Sequence, residues 1–189
     1  MNELINYIKL RTSIQPYEVK LIEKHFVIEN VSAQHTLSEA GKVERYIYFL
    51  IDGIVKGYQN IDGKIIIQQF VNERDFFTSL DSFMNETPSL DYYETITDCK
   101  LLKLSKVDYD FLQNETSFWE TFVKTVTSEH LNCKLNRVRD FQTLTAKERY
   151  VKFVNDYPKL ALNVSIDNIA SFLGMEPQSL SRIRKQLTI

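Results

Sequence analysis

Glycine is scarce in this sequence: five in 189 residues, two of them in the Asp52-Gly53 and Asp62-Gly63 pairs. That leaves no glycine-rich loop of the kind that cradles a nucleotide's phosphates. Cysteine is scarcer still. Cys99 and Cys133 are too few and too far apart for a disulfide framework or a four-thiolate metal site, and both are read as reduced, buried thiols. No apolar run approaches the roughly 20 residues needed to cross a bilayer. The start, Met1-Asn2-Glu3-Leu4-Ile5, lacks the basic and apolar regions of a signal peptide. The expectation is a cytoplasmic protein that does not engage a membrane, in which the sequons at Asn30, Asn85, Asn114 and Asn163 carry no meaning. Metal-ligand spacing is also missing, as is any Ser, His and Asp set in a recognisable context. His25, His35 and His130 are scattered. No metal, no cofactor and no enzymatic activity are expected.

What is present is an uneven distribution of charge. Residues 1–133 carry 13 basic and 20 acidic side chains, a net of −7, whereas residues 134–189 carry 10 and 5, a net of +5. A basic end on an acidic chain suits a polyanionic partner, although a chance fluctuation would look the same.

Residues 2–25 have helical spacing, with Pro16 marking a break between two short helices. From Val27 to Leu104 the texture is that of strands. Tyr46–Ile51, Ile54–Tyr58 and Ile65–Phe70 are separated by the two Asp-Gly pairs, a strong hairpin signal because glycine accepts positive φ without penalty. Tyr92–Thr97 and Lys100–Leu104 supply two more strands. Short strands at close spacing with no helix between them predict a small antiparallel barrel or sandwich.

After Leu104 the period becomes helical. Ser105-Lys106-Val107-Asp108 has the form of a helix-opening box. Residues from about Glu115 to Phe141 then run without Gly or Pro, with Trp119, Phe122, Val123, Val126, Leu131, Leu135 and Val138 mostly three or four apart. A helix of about 25 residues extends about 38 Å. Its stripe could lie across its own barrel or form a two-stranded seam with a second copy. Thr145-Ala146-Lys147-Glu148 opens another helix, which stops at Tyr157-Pro158.

The segment Ser165–Leu187, SIDNIASFLGMEPQSLSRIRKQL, has the form of a helix-turn-helix. Such a motif needs a small residue where the helices cross, a glycine at the turn and apolar residues further on. Ala170, Gly174, Leu180 and Ile183 fill those roles in order, and Pro177 suits the first turn of the second helix. The outer face of that helix carries Gln178, Ser179, Ser181, Arg182 and Lys185. Gln and Arg suit base edges in the major groove, and Ser and Lys suit phosphate oxygens. An ordinary helical corner with a solvated face remains the alternative.

The order of barrel, long helix and helix-turn-helix resembles the Crp–Fnr family of cyclic-nucleotide-binding-type regulators. The resemblance is carried by Tyr48-Phe49-Leu50-Ile51-Asp52-Gly53, by the Asp62-Gly63-Lys64 turn, by Asp75-Phe76 and above all by Leu180-Ser181-Arg182-Ile183-Arg184-Lys185. It implies an α+β protein with three parts. These are a jelly-roll-like antiparallel β-barrel effector domain (residues 1–113), a dimerisation helix (114–141) and a winged-helix-like helix-turn-helix (142–189) whose wing is short or missing. It implies double-stranded DNA as partner, a homodimer, and RNA polymerase as a further partner. It assigns base reading to Gln178, Ser179 and Arg182, and backbone contact to Ser181 and Lys185. Pro177 stands where some members place a base-contacting Arg, so their operators do not transfer.

The effector pocket departs further from the family. Where nucleotide-binding members carry Gly-Glu and Arg-Ser or Arg-Thr, this chain has Thr78, Ser79, Ser89 and Leu90. A cyclic phosphate needs a cationic donor, and the surroundings are acidic: Asp81, Glu86, Asp91 and Glu94. The expectation is a regulator whose effector is unknown and is not cyclic AMP. The alternative is a small-molecule-binding module without a specific DNA target.

Overall fold

The computed structural model describes residues 1–187. The wing expectation concerns residues after Leu187 and lies outside the described residues. Two helices open the chain, α1 (Asn2–Lys9) and α2 (Pro16–His25). Strands β1 (Val27–Val31), β2 (Thr36–Ser38), β3 (Tyr46–Asp52), β4 (Val55–Ile61), β5 (Lys64–Val71) and β6 (Asp75–Phe77) follow. Helix α3 (Leu80–Asn85) precedes β7 (Tyr92–Thr95) and β8 (Cys99–Ser105). The remainder is helical: α4 (Lys106–Glu115), α5 (Trp119–Thr143), α6 (Ala146–Asp156), α7 (Pro158–Asn163), α8 (Ile166–Phe172) and α9 (Pro177–Leu187). These elements divide into two compact units. One holds residues 1–57 and 70–129, and the other holds 58–69 together with the residues from 130 onward.

The strands do not close into the expected barrel. They form two antiparallel four-stranded sheets, ordered β1-β8-β3-β6 and β2-β7-β4-β5, each with open edges. Short strands joined by tight turns are common to barrels and sandwiches, and the sequence pattern does not distinguish closure. Alternation along β3 and β8 builds two cores in the first unit. Tyr48, Leu50 and Leu101 face Val55, Val71 and Tyr93 of the second sheet. Phe49, Leu102 and Leu104 face the other way, onto Leu4, Ile8, Ile22, Leu112, Trp119 and Phe122 of the helices. The Asp62-Gly63 turn forms as expected, with positive φ at both residues (52° and 84°), as a two-residue hairpin of this type requires. Cys99 is buried, and burial pushes its thiol pKa up. Cys133 is exposed on α5, against expectation.

The long helix begins at Trp119 rather than near Glu115, because Glu18 interrupts the run. The fully buried Glu18 carboxylate accepts from the Gln15 amide (2.7 Å) and from both the amide (2.8 Å) and hydroxyl (3.1 Å) of Ser117. Thr116 then caps α4 in an extended conformation, and its amide closes the last turn on Leu112 O. A buried carboxylate with this many donors holds the corner between α4 and α5 firmly.

Candidate nucleic-acid interface

In the second unit, Ser165 caps α8 by accepting from the Asn168 amide. The helix ends in a paired closure. The Met175 amide donates to Ala170 O (3.0 Å) and the Gly174 amide to Ser171 O (3.2 Å), with Gly174 at φ +62°. This is the left-handed C-terminal arrangement that favours glycine. A Cβ at Gly174 would also stand 2.7 Å from the Phe141 ring, so conformation and space both demand glycine there. Arg149 secures the same end, donating from Nε to Leu173 O (3.0 Å) and from Nη1 to Leu144 O (2.8 Å).

Helix α9 starts at Pro177, and the Leu180 amide donates back to Glu176 O. Helices α8 and α9 pack on one another, with Ala170 and Leu180 fully buried and Ile169 and Leu173 nearly so. The opposite face of α9 is open. Gln178, Ser179, Arg182 and Lys185 are exposed, and residues 178, 182 and 185 share one face by helical spacing. Ser181 is half-buried, beside the same row, three residues on from Gln178 and four before Lys185. No acidic side chain occurs within α9.

In the first unit, the residues matched to the effector pocket are engaged with one another. Ser79 and Ser89 are buried, their hydroxyls 2.8 Å apart. The Asp91 amide donates to Ser89 Oγ (2.9 Å), and Ser79 Oγ donates to Asp91 Oδ2 (3.3 Å). Thr78 donates to Tyr46 O (2.9 Å), and its own carbonyl accepts from the Tyr93 hydroxyl (3.1 Å). Leu90 stands apart, 77% exposed.

The space between the sheets is occupied by rings, with Tyr48 on Phe77 (5.1 Å between centroids) and Phe77 beside Tyr93 (5.3 Å). Gly57 makes room for the last of these, since a Cβ there would lie 2.7 Å from the Tyr93 ring. Burial, with the nearby Asp91 and Glu44 carboxylates, raises the Tyr93 phenol well above its ordinary value, so it stays a neutral donor. Sequence reasoning missed these aromatics. The available signal was a glycine inside a strand, which marks close approach of another group. Of the scattered histidines, His25 pairs with Asp108 at 2.6 Å and stacks on Phe111. Among the described residues, no group of three or more His, Cys, Asp or Glu stands where it could hold a metal ion. No helix among them is long and apolar enough to cross a membrane.

Residues 28–115 match the family model of the cyclic nucleotide-binding domain. No curated protein matches the sequence. Among solved structures, FixK2 from Bradyrhizobium japonicum superposes with a TM-score of 0.76 at 18% identity, over 86% of this chain and 84% of that one. The c-di-GMP-responsive global regulator CLP of Xanthomonas campestris gives 0.73 at 16%, over 92% of each chain. A Crp/Fnr-family protein of Eubacterium rectale gives 0.74 at 13%, over 97% and 88%. The chain shares the fold of these solved regulators. At these identities the likeness to the solved regulators is one of fold. Within residues 28–115, the Ser79 and Ser89 hydroxyls are bonded to each other and to Asp91, where an anionic ligand would need a cation.

Proposed function

We propose that this chain is a sequence-specific, DNA-binding transcriptional regulator that acts as a homodimer, with α9 as the reading helix. One observation carries the reading. On α9, Gln178, Ser179, Arg182 and Lys185 stand exposed on a helix whose other face is anchored by Leu180, and no acid interrupts them. A helix of this kind fits the major groove, where Gln178, Ser179 and Arg182 would read base edges and Lys185 would hold a phosphate. Ser181, half-buried beside that row, would contact the phosphate backbone with Lys185.

The dimer is supported by the second half of α5. Leu131, Leu135 and Val138 are each more than half exposed, at the four-then-three spacing of a two-stranded seam. The effector is not cyclic AMP, because Ser89 stands where such a ligand requires a cationic side chain and is bonded to Ser79 and Asp91 instead. The setting that fits this role is the cytoplasm, where a promoter-bound dimer would meet RNA polymerase. No enzymatic step is proposed.

The test is selection of bound sites from random DNA by the full-length protein. The expected product is a motif with two related half-sites about 34–36 Å apart. Recovery of unenriched sequence at low salt would overturn the reading.

A further inference from the structure

β5 ends its sheet, so among the described residues one of its edges has no strand neighbour. A carbonyl and the amide two residues further along face the same side of a strand, and at Ile65 and Ile67 both are taken by one side chain. The Ser171 hydroxyl donates to Ile65 O (2.9 Å) and accepts from the Ile67 amide (3.0 Å). One residue further along the strand, Arg137 Nη1 donates to Gln68 O (2.6 Å). The Arg137 guanidinium also lies over the Phe172 ring, 4.7 Å from its centroid. Residues 65–68, Arg137 and Ser171 all belong to the second compact unit. Ser171 sits on α8 directly after Ala170, the residue buried where α8 meets α9.

We propose that Ser171 and Arg137 are positioning residues for DNA reading, which fasten α8, and through it α9, to the backbone of β5. The bonds go to main-chain groups, so they fix the helix against the strand whatever side chains the hairpin carries. Strand β5 runs on at Phe70 into the first unit. The reading face of α9 stays exposed while Ser171 is bonded, so the fastening orients the helix and does not mask it. Release weakens DNA binding.

The inference rests on the proposed DNA-reading role, and its test separates the two. The full-length protein would be compared as wild type, Ser171→Val, Ser171→Thr and Arg137→Gln, with circular dichroism as the check on folding. Two quantities are read: hydrogen exchange at the Ile67 amide, and affinity for the site that the wild type enriches from random DNA. Ser171→Val is expected to speed exchange at Ile67 and to weaken binding, each about tenfold, for the loss of two hydrogen bonds. Ser171→Thr, which keeps the hydroxyl, is expected to restore both to within about threefold, and Arg137→Gln to weaken binding less than Ser171→Val. The salt dependence of binding should not change, since no phosphate contact is lost. If Ser171→Val does not fold, Ser171→Ala takes its place.

Faster exchange with unchanged affinity would overturn the positioning role. Equal losses for Val and Thr would also overturn it, by showing that only packing matters, and unchanged exchange would remove its basis. A wild type that enriches no site would refute DNA reading itself, and positioning with it.

Discussion

The two units put their polar side chains to opposite use. In the sandwich, Ser79, Ser89 and Asp91 satisfy one another, and Tyr48, Phe77 and Tyr93 fill the space between the sheets. On α9, Gln178, Ser179, Arg182 and Lys185 face outward. A buried polar group must find a partner, and one that has found it within the protein costs free energy to release. An exposed row on an anchored helix has no such debt. The difference teaches that family position alone does not make a binding site. What matters is whether the chain has already used the groups.

The largest expected effect separates the units directly. Gly174→Val places a β-branched residue at φ +62° against the Phe141 ring and should cost about 4 kcal/mol, from strain and overpacking together. Hydrogen exchange should show protection lost across α6–α9 while β3 and β8 keep theirs. Loss spread evenly over both units would break the comparison. The double substitution Leu131→Lys with Leu135→Lys should weaken the dimer by about 3 kcal/mol, roughly a hundredfold in dissociation constant. Sedimentation equilibrium should then give 22.2 kDa where the wild type gives twice that mass. A wild-type monomer at micromolar concentration would remove the seam.

Glu18→Gln probes the first unit alone. Burial pulls the Glu18 pKa up, but the donors at Gln15, Ser117 and Tyr17 outweigh it and hold it below the ordinary carboxylate value. A carboxyl whose folded pKa is lowered contributes stability above its unfolded value of about 4.3, and loses it as pH falls through the folded value. The variant should be less stable than wild type by about 2 kcal/mol at pH 7, and denaturant titrations should show the gap closing toward pH 3. A gap that persists in acid would mean that the charge is not what matters. The smallest effect expected is none: millimolar cyclic AMP should produce no heat in calorimetry and no change in Tm. Saturable binding in the low micromolar range would show that the Ser79–Ser89–Asp91 network opens for an anion.

Much of the second unit was legible because its devices are local. Ser165, Gly174 and Pro177 announce helix ends by chemistry that acts within a few residues, and the structure places the ends there. The Thr145–Glu148 capping box and the Asp62-Gly63 turn were legible for the same reason. What the sequence did not disclose depends on partners distant along the chain. Glu18 meets Ser117 across 99 positions and moves the start of α5. Tyr93 fills the space beside Gly57, and Ser171 meets β5 more than 100 residues away. The edge strand β1 also escaped notice, because its half-exposed residues lack clean alternation. The basic end of the chain was legible in number but not in use. Arg137 and Arg149 bond to backbone carbonyls, and Lys152 pairs with Asp140. Charge counting therefore overstated what is offered to DNA.

The central claim is that α9 reads bases through Arg182. Sites selected from random DNA by the wild type, Arg182→Ala and Lys185→Ala test it most directly. Arg182→Ala should lose about 1–3 kcal/mol per half-site and relax preference at one base pair. Lys185→Ala should weaken all sequences alike and lower the salt slope by about one. An unchanged motif and unchanged affinity for Arg182→Ala, in a protein that still folds and dimerises, would contradict the account.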